Sequence, residues 1–287
     1  MKGVKMKKYH SAKVSLGCLL CLVLISAGCC INIGGCFMQA KYERTMQLSA
    51  PLSPGSTLEA KTHNGSITIK GADVTECSLT ATIVTRASTD EEAQQLSDQV
   101  NVTLVPNGNR LTVKIDKPTH LVNKSVSVTL DVQVPNQTDL DLLSHNGAVE
   151  ISDITGRLAA TTHNGKVECD RISGTSTFET HNGPITCDEI SGSTKLNSHN
   201  GSIKAFYTSN APSVCDISMI THNGSIELKT PPNLSAKIDV STHNGSIHTD
   251  LPITVSGKIS KSELKGTIGA GEGELHLETY NGSIRIR

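Results

Sequence analysis

Apolar and polar positions alternate along most of the chain, and the alternation predicts strands rather than helices. The stretch Val126-Ser127-Val128-Thr129-Leu130-Asp131-Val132-Gln133-Val134 keeps a strict period of two. Shorter alternating runs at Cys77–Val84, Val100–Val105 and Leu111–Ile115 predict further strands, with Pro106-Asn107-Gly108-Asn109 as a turn between two of them. The period changes once. Thr89 stands three residues before Glu92, the spacing of a capping box, and Ala93, Leu96 and Val100 fall on one helical face, so one short helix is expected over 89–100.

From Asp139 onward the alternation is cut into matching units. The apolar sets Leu158, Val167, Cys169, Ile172; Phe178, Ile185, Cys187, Ile190; and Leu196, Ile203, Ala205 occupy equivalent places, two short strands per unit. The phrase His-Asn-Gly marks each unit. It stands at His63-Asn64-Gly65, His145-Asn146-Gly147, His163-Asn164-Gly165, His181-Asn182-Gly183, His199-Asn200-Gly201, His222-Asn223-Gly224 and His243-Asn244-Gly245, and as Tyr280-Asn281-Gly282. Asn146, Asn164, Asn182 and Asn200 are 18 residues apart. A second marker, Ile154-Thr155-Gly156, Ile172-Ser173-Gly174 and Ile190-Ser191-Gly192, gives each period a second corner.

A unit this small cannot bury a face alone, whereas stacked units can. The expected fold is therefore all-β: a parallel β-solenoid, or β-helix, of stacked coils of about 18 residues, behind a strand-rich N-terminal part containing the short helix. Equivalent residues would then lie about 4.8 Å apart along the axis. The stacked Asn side chains form an amide ladder, and each Gly takes the left-handed conformation at the corner. The sixteen Asn and Gly of the eight phrases are thus structural corner residues. An antiparallel meander is the alternative, because Asn-Gly between alternating apolar residues is also a hairpin signal.

Composition adjusts this picture at the N-terminus. Lys2, Lys5, Lys7, Lys8 and Lys13 precede the apolar run Val14–Ala27, and five of the nine cysteines fall in the first 36 residues. A basic region followed by an apolar one predicts export. Ile25-Ser26-Ala27-Gly28-Cys29 is similar to a lipobox, which makes Cys29 the candidate lipidation site, although Ser26 replaces the usual aliphatic residue. An uncleaved membrane anchor over Val14–Met38 is the competing reading, and either one leaves the repeats outside the cytoplasm. Residues 1–40 are accordingly signal or anchor, 41–138 the N-terminal β part and 139–287 the repeat array. A formal net charge of −1 points to no nucleic-acid partner.

The order of motifs resembles a known family. Tyr42-Glu43-Arg44-Thr45, the approach Pro54-Gly55-Ser56-Thr57-Leu58, the helix-bearing insert, Val132-Gln133-Val134-Pro135, and the repeated Asn-Gly-x-Ile/Val with intervening Ile-x-Gly look like the bacterial β-strand-repeat family of unknown function, provisionally described as adhesins. The resemblance covers about Lys41 to Arg287. It implies an extracytoplasmic β-solenoid-like domain with no established activity; in that family the His position is more variable.

Candidate chemistry is sparse. No Gly-x-Ser-x-Gly, His-Glu-x-x-His or phosphate loop is present, and no cofactor is implied. Stacked His145, His163, His181 and His199 are the candidate metal ligands, two or three of them sharing Zn²⁺ or Cu²⁺ at about 2.0–2.1 Å. Protonation of such a column below pH ~6.5 predicts that acid loosens the array. The Ser or Thr before each His would form a hydroxyl column able to face carbohydrate. Cys169 and Cys187 hold equivalent inward places, as free core thiols or as a bridge. The function expected is a non-enzymatic, envelope-anchored adhesin-like or scaffolding module whose partners are the membrane and a surface glycan or envelope protein. The alternative is a glycan or metal-ion binder using the Ser/Thr-His-Asn column.

Overall fold

Period-two alternation becomes strand throughout a computed structural model that describes residues 22–24, 40–255 and 260–287. Among the described residues the fold is all-β with one helix, Asp90–Asp98. Thr89 caps that helix by accepting the Glu92 backbone N–H at 3.2 Å, and Ala93, Leu96 and Val100 are buried, as their spacing predicts. The helix is shorter than 89–100 because Gln99 already closes it, its N–H returning to the Leu96 and Ser97 carbonyls. Arg44, from the Tyr-Glu-Arg-Thr stretch, donates through its guanidinium to the Ser97 and Val100 carbonyls and so satisfies acceptors that a helix end leaves open.

In the N-terminal part, Ala40–Pro51, Glu76–Ala87 and Ser125–Pro135 pair antiparallel in that spatial order. The pairing then turns parallel. Ser125–Pro135 lies beside Ile67–Ala72, which pairs with the first half of Val149–Asn164, while Ser56–Asn64 pairs with Thr138–Asn146. The first His-Asn-Gly therefore joins the same succession as the later ones.

The regular region consists of Val149–Asn164, Val167–Asn182 and Ile185–Asn200, laid parallel with residue i opposite i + 18: Ile151 faces Cys169, Ile172 faces Ile190 and Asn164 faces Asn182. Two-residue hairpins cannot produce parallel neighbours. Beyond Asn200 the order departs from the sequence. Gly273–Asn281 is inserted between Ile217–Asn223 and Ala236–Asn244, so the last phrase of the chain stands between the sixth and the seventh.

One repeat buries Val167, Cys169, Ile172, Ser176, Phe178 and Thr180, and the next buries Ile185, Cys187, Ile190, Thr194, Leu196 and Ser198. Strict alternation of these inward residues breaks at three places per repeat rather than at the two expected corners. The unexpected break falls at Asp153, Arg171 and Glu189, whose φ values of 60°, 50° and 52° are left-handed although none is glycine. Arg171 Nε donates to Asp153 Oδ1 at 2.6 Å, tying two of these corners together.

Among the described residues no helix is long and apolar enough to cross a membrane. Cys29 and the basic-apolar segment lie outside the described residues, apart from the short strand Leu22–Leu24, whose backbone runs antiparallel to residues 45–47.

Candidate functional site

The His-Asn-Gly corners form four adjacent columns, and each residue type has its own work. The Asn side chains make the amide ladder. Asn146 donates to Asn64, Asn164 to Asn146, Asn182 to Asn164, Asn200 to Asn182, Asn223 to Asn200, Asn281 to Asn223 and Asn244 to Asn281, all at 2.8–2.9 Å. Asn64 ends the row by donating to the Val126 carbonyl at 3.2 Å. Replacing Asn182 by Ala removes two ladder bonds, whereas Asn244→Ala removes one. At about 0.5–1.5 kcal/mol per bond, Asn182→Ala should cost about twice as much, and urea midpoints of the two variants check this; equal losses would refute the ladder as a source of cohesion.

The glycines correct an expectation. Of the eight, only Gly65 has a left-handed φ, 128°. The others are needed for close approach: a Cβ at Gly147, Gly165, Gly183, Gly201, Gly224, Gly282 or Gly245 would sit 1.9–2.2 Å from the carbonyl oxygen of the neighbouring phrase's glycine. Only a residue without Cβ lets the corners stack at strand spacing.

The Ser/Thr column also differs from its expected role. Ser144, Thr162, Thr180, Ser198, Thr221, Thr242 and Thr279 are buried, and each hydroxyl donates to the glycine carbonyl of the adjacent phrase at 2.8–3.1 Å. These hydroxyls are spent inside the protein and form no surface for carbohydrate.

The rings remain. His63, His145, His163, His181, His199, His222, Tyr280 and His243 stack in that order, all exposed, with centroids 4.5–5.0 Å apart. Consecutive imidazoles are parallel to within 5°. The four candidate ligands His145, His163, His181 and His199 are thus brought into one row, but among the described residues no three His, Cys, Asp or Glu side chains converge on one point. An open groove of about 970 Å³ follows the row, its far wall made by Lys61, Leu143, Thr161, Glu179, Asn197 and Ile220. Those residues stand two places before each His, so strand alternation puts them on the same face.

Partial desolvation, then the charge of Lys117 and the neighbouring His145, holds the His63 imidazole below its ordinary range. On acidification the unfolded chain therefore takes up this proton first. The stability linked to His63 is present above pH ~6.5 and is lost as the pH falls through the lower folded-state value. The melting temperature should drop between pH 7.5 and 5, and His63→Gln should narrow the drop; a profile identical in the variant would refute this assignment.

Cys77, Cys169, Cys187 and Cys215 are free and buried. Cys169 and Cys187 are register partners. Burial pushes the Cys77 thiol up to about 12 and the Cys215 thiol up to about 11, and burial followed by the contact with Cys187 raises Cys169 as well. These three thiols stay protonated at neutral pH, which makes them core-filling groups rather than nucleophiles.

Distant likeness extends to solved structures. They include a provisionally described cell adhesion protein from Clostridium sporogenes, 11% identical over 84% of this chain and 97% of that one, TM-score 0.40. A provisionally described adhesin from Bacteroides fragilis is 14% identical over 85% and 97%, TM-score 0.39. A provisionally described lipid binding protein from Parabacteroides distasonis is 11% identical over 86% and 97%, TM-score 0.34. No protein of curated function matches. The family described as Toastrack DUF4097 matches residues 31–287, most of the chain, and the chain belongs to that family.

Proposed function

We propose that the protein is a non-enzymatic, extracytoplasmic β-solenoid, held to the cell envelope by its N-terminal segment and serving as an adhesin-like or scaffolding module. The observation that carries this reading is the use to which the repeated phrase is put. Its amides bond to one another, its hydroxyls bond to backbone carbonyls, and its glycines admit close stacking. Chemistry is spent on cohesion, and what faces outward is a straight row of rings at strand spacing. Such a surface offers many equivalent contacts to a partner that is itself repetitive, such as a surface glycan or an array of envelope proteins, and multivalent contact raises avidity without a deep pocket.

The test uses intact cells expressing the full chain with a C-terminal epitope. External protease should remove the epitope while cytoplasmic markers survive, and fractionation should place the chain with membranes. Cells carrying it should adhere to immobilised envelope material more than cells carrying a chain without residues 139–287. Recovery of the protein in the protease-protected soluble fraction would overturn the placement. Equal adhesion of the two strains would overturn the adhesin-like reading.

A further inference from the structure

The ring row is the one column of the repeat that the fold does not consume, and its chemistry points to metal ions. Six imidazoles follow one another without interruption: His63, His145, His163, His181, His199 and His222. They are exposed, and imidazole nitrogen suits Cu²⁺ and Zn²⁺. Parallel rings 4.8–5.0 Å apart cannot share an ion as they stand, since two metal–nitrogen bonds of about 2.0–2.1 Å span at most roughly 4.2 Å. Tilting two neighbouring exposed rings toward each other closes this gap.

That geometry fixes the count. A ring turned toward one neighbour is turned away from the other, so each imidazole serves one ion and the ions take alternate gaps. We propose that the row is a linear divalent-metal array of three ions, held by His63/His145, His163/His181 and His199/His222. Water completes each shell. His243 is excluded because it stacks on Tyr280, 4.5 Å away, which separates it from His222. Local charge sets the order of filling. Glu179, on the groove wall two residues before His181, favours the middle ion.

The inference goes beyond the scaffold reading and does not depend on it. It is tested by titrating the full chain, kept in mild detergent at pH 7.5, with Cu²⁺, counting ions by calorimetry and recording the electron paramagnetic resonance spectrum. His145→Ala/His181→Ala/His222→Ala leaves no two adjacent imidazoles and should bind three fewer ions than the wild-type chain. Neighbouring ions, two strand spacings or roughly 10 Å apart, should broaden the wild-type spectrum, and the broadening should vanish in the triple variant. Tyr280→His completes a row of eight and should raise the row's count from three to four. It needs no histidine removed, so it decides the matter even if the triple variant folds poorly. Equal binding by the wild-type and a folded triple variant, or an unchanged count in Tyr280→His, overturns the proposal.

Discussion

Gly183→Ala should unfold the repeats at temperatures where the wild-type chain is intact. The added Cβ would lie 2.0 Å from the Gly165 carbonyl oxygen and 2.6 Å from its carbon, both backbone atoms that no rotamer change can move. Relief requires the two strands to part at the corner. Between these two strands Thr180 donates to the Gly165 carbonyl at 2.9 Å, and Asn182 donates to Asn164 at 2.8 Å. The Asn ladder crosses the same place. Steric overlap and broken bonds add at one point, so the cost belongs to the exceptional class above about 4 kcal/mol. For an array of this length that is a fall in melting temperature of roughly 10 °C or more. Gly108→Ala supplies the contrast: its φ of 59° disfavours a side chain, but nothing lies within 4 Å of the new Cβ. Backbone strain alone costs about 1–2 kcal/mol there. Circular dichroism melts of the two variants distinguish close approach from conformation, and similar losses would refute the steric account.

Phe178→Ala should be the most damaging truncation in the core, at about 3–5 kcal/mol. Among the described residues Phe178 is the largest fully buried side chain, in a core made mostly of Val, Ile, Leu, Ala and Cys. Its register neighbours are Ala160 on one side and Leu196 on the other, so the ring fills the space that the small Ala160 leaves. The hole cannot close by collapse, because backbone bonds and the Asn ladder hold the flanking strands at fixed spacing. Phe178→Leu should lose less than half as much, since most of the volume is kept. A repeat array can open locally, so hydrogen exchange at 167–200 is the sharper readout, and the loss of protection should centre there. Uniform protection in the Ala variant would refute the localisation.

Much of the architecture could be read from residues. The 18-residue spacing of Asn146, Asn164, Asn182 and Asn200 became the strand register, and the inward sets around Cys169, Cys187 and Phe178 became the core. The Asn ladder followed from identity plus stacking. Three features were not legible, each for a physical reason. The corner at Asp153, Arg171 and Glu189 uses three different residues, two carboxylates and a guanidinium, in a conformation usually left to glycine, so no common letter marks it. The role of the phrase glycines is set by a neighbouring chain segment rather than by their own dihedrals, and a single sequence does not display that neighbour. Identical phrases also carry no address. Nothing in Tyr280-Asn281-Gly282 tells it to lie between Asn223 and Asn244. At the ring row, the sequence predicted the column but not the orientation of its partners: the Ser/Thr hydroxyls turned inward, while the rings stayed exposed along the groove.

The inserted strand has a consequence for biosynthesis. Repeats from Asp139 to Asn200 can zip together in the order in which the ribosome makes them, each new strand finding its partner already in place. Ala236–Asn244 cannot, because its parallel partner Gly273–Asn281 is made afterwards and must slip in against Ile217–Asn223. Until about thirty further residues have emerged, the far end of the stack waits with an open edge, the condition in which strands are most prone to pair wrongly. The array thus assembles from its N-terminal side onward, and its far end is closed last by Gly273–Asn281.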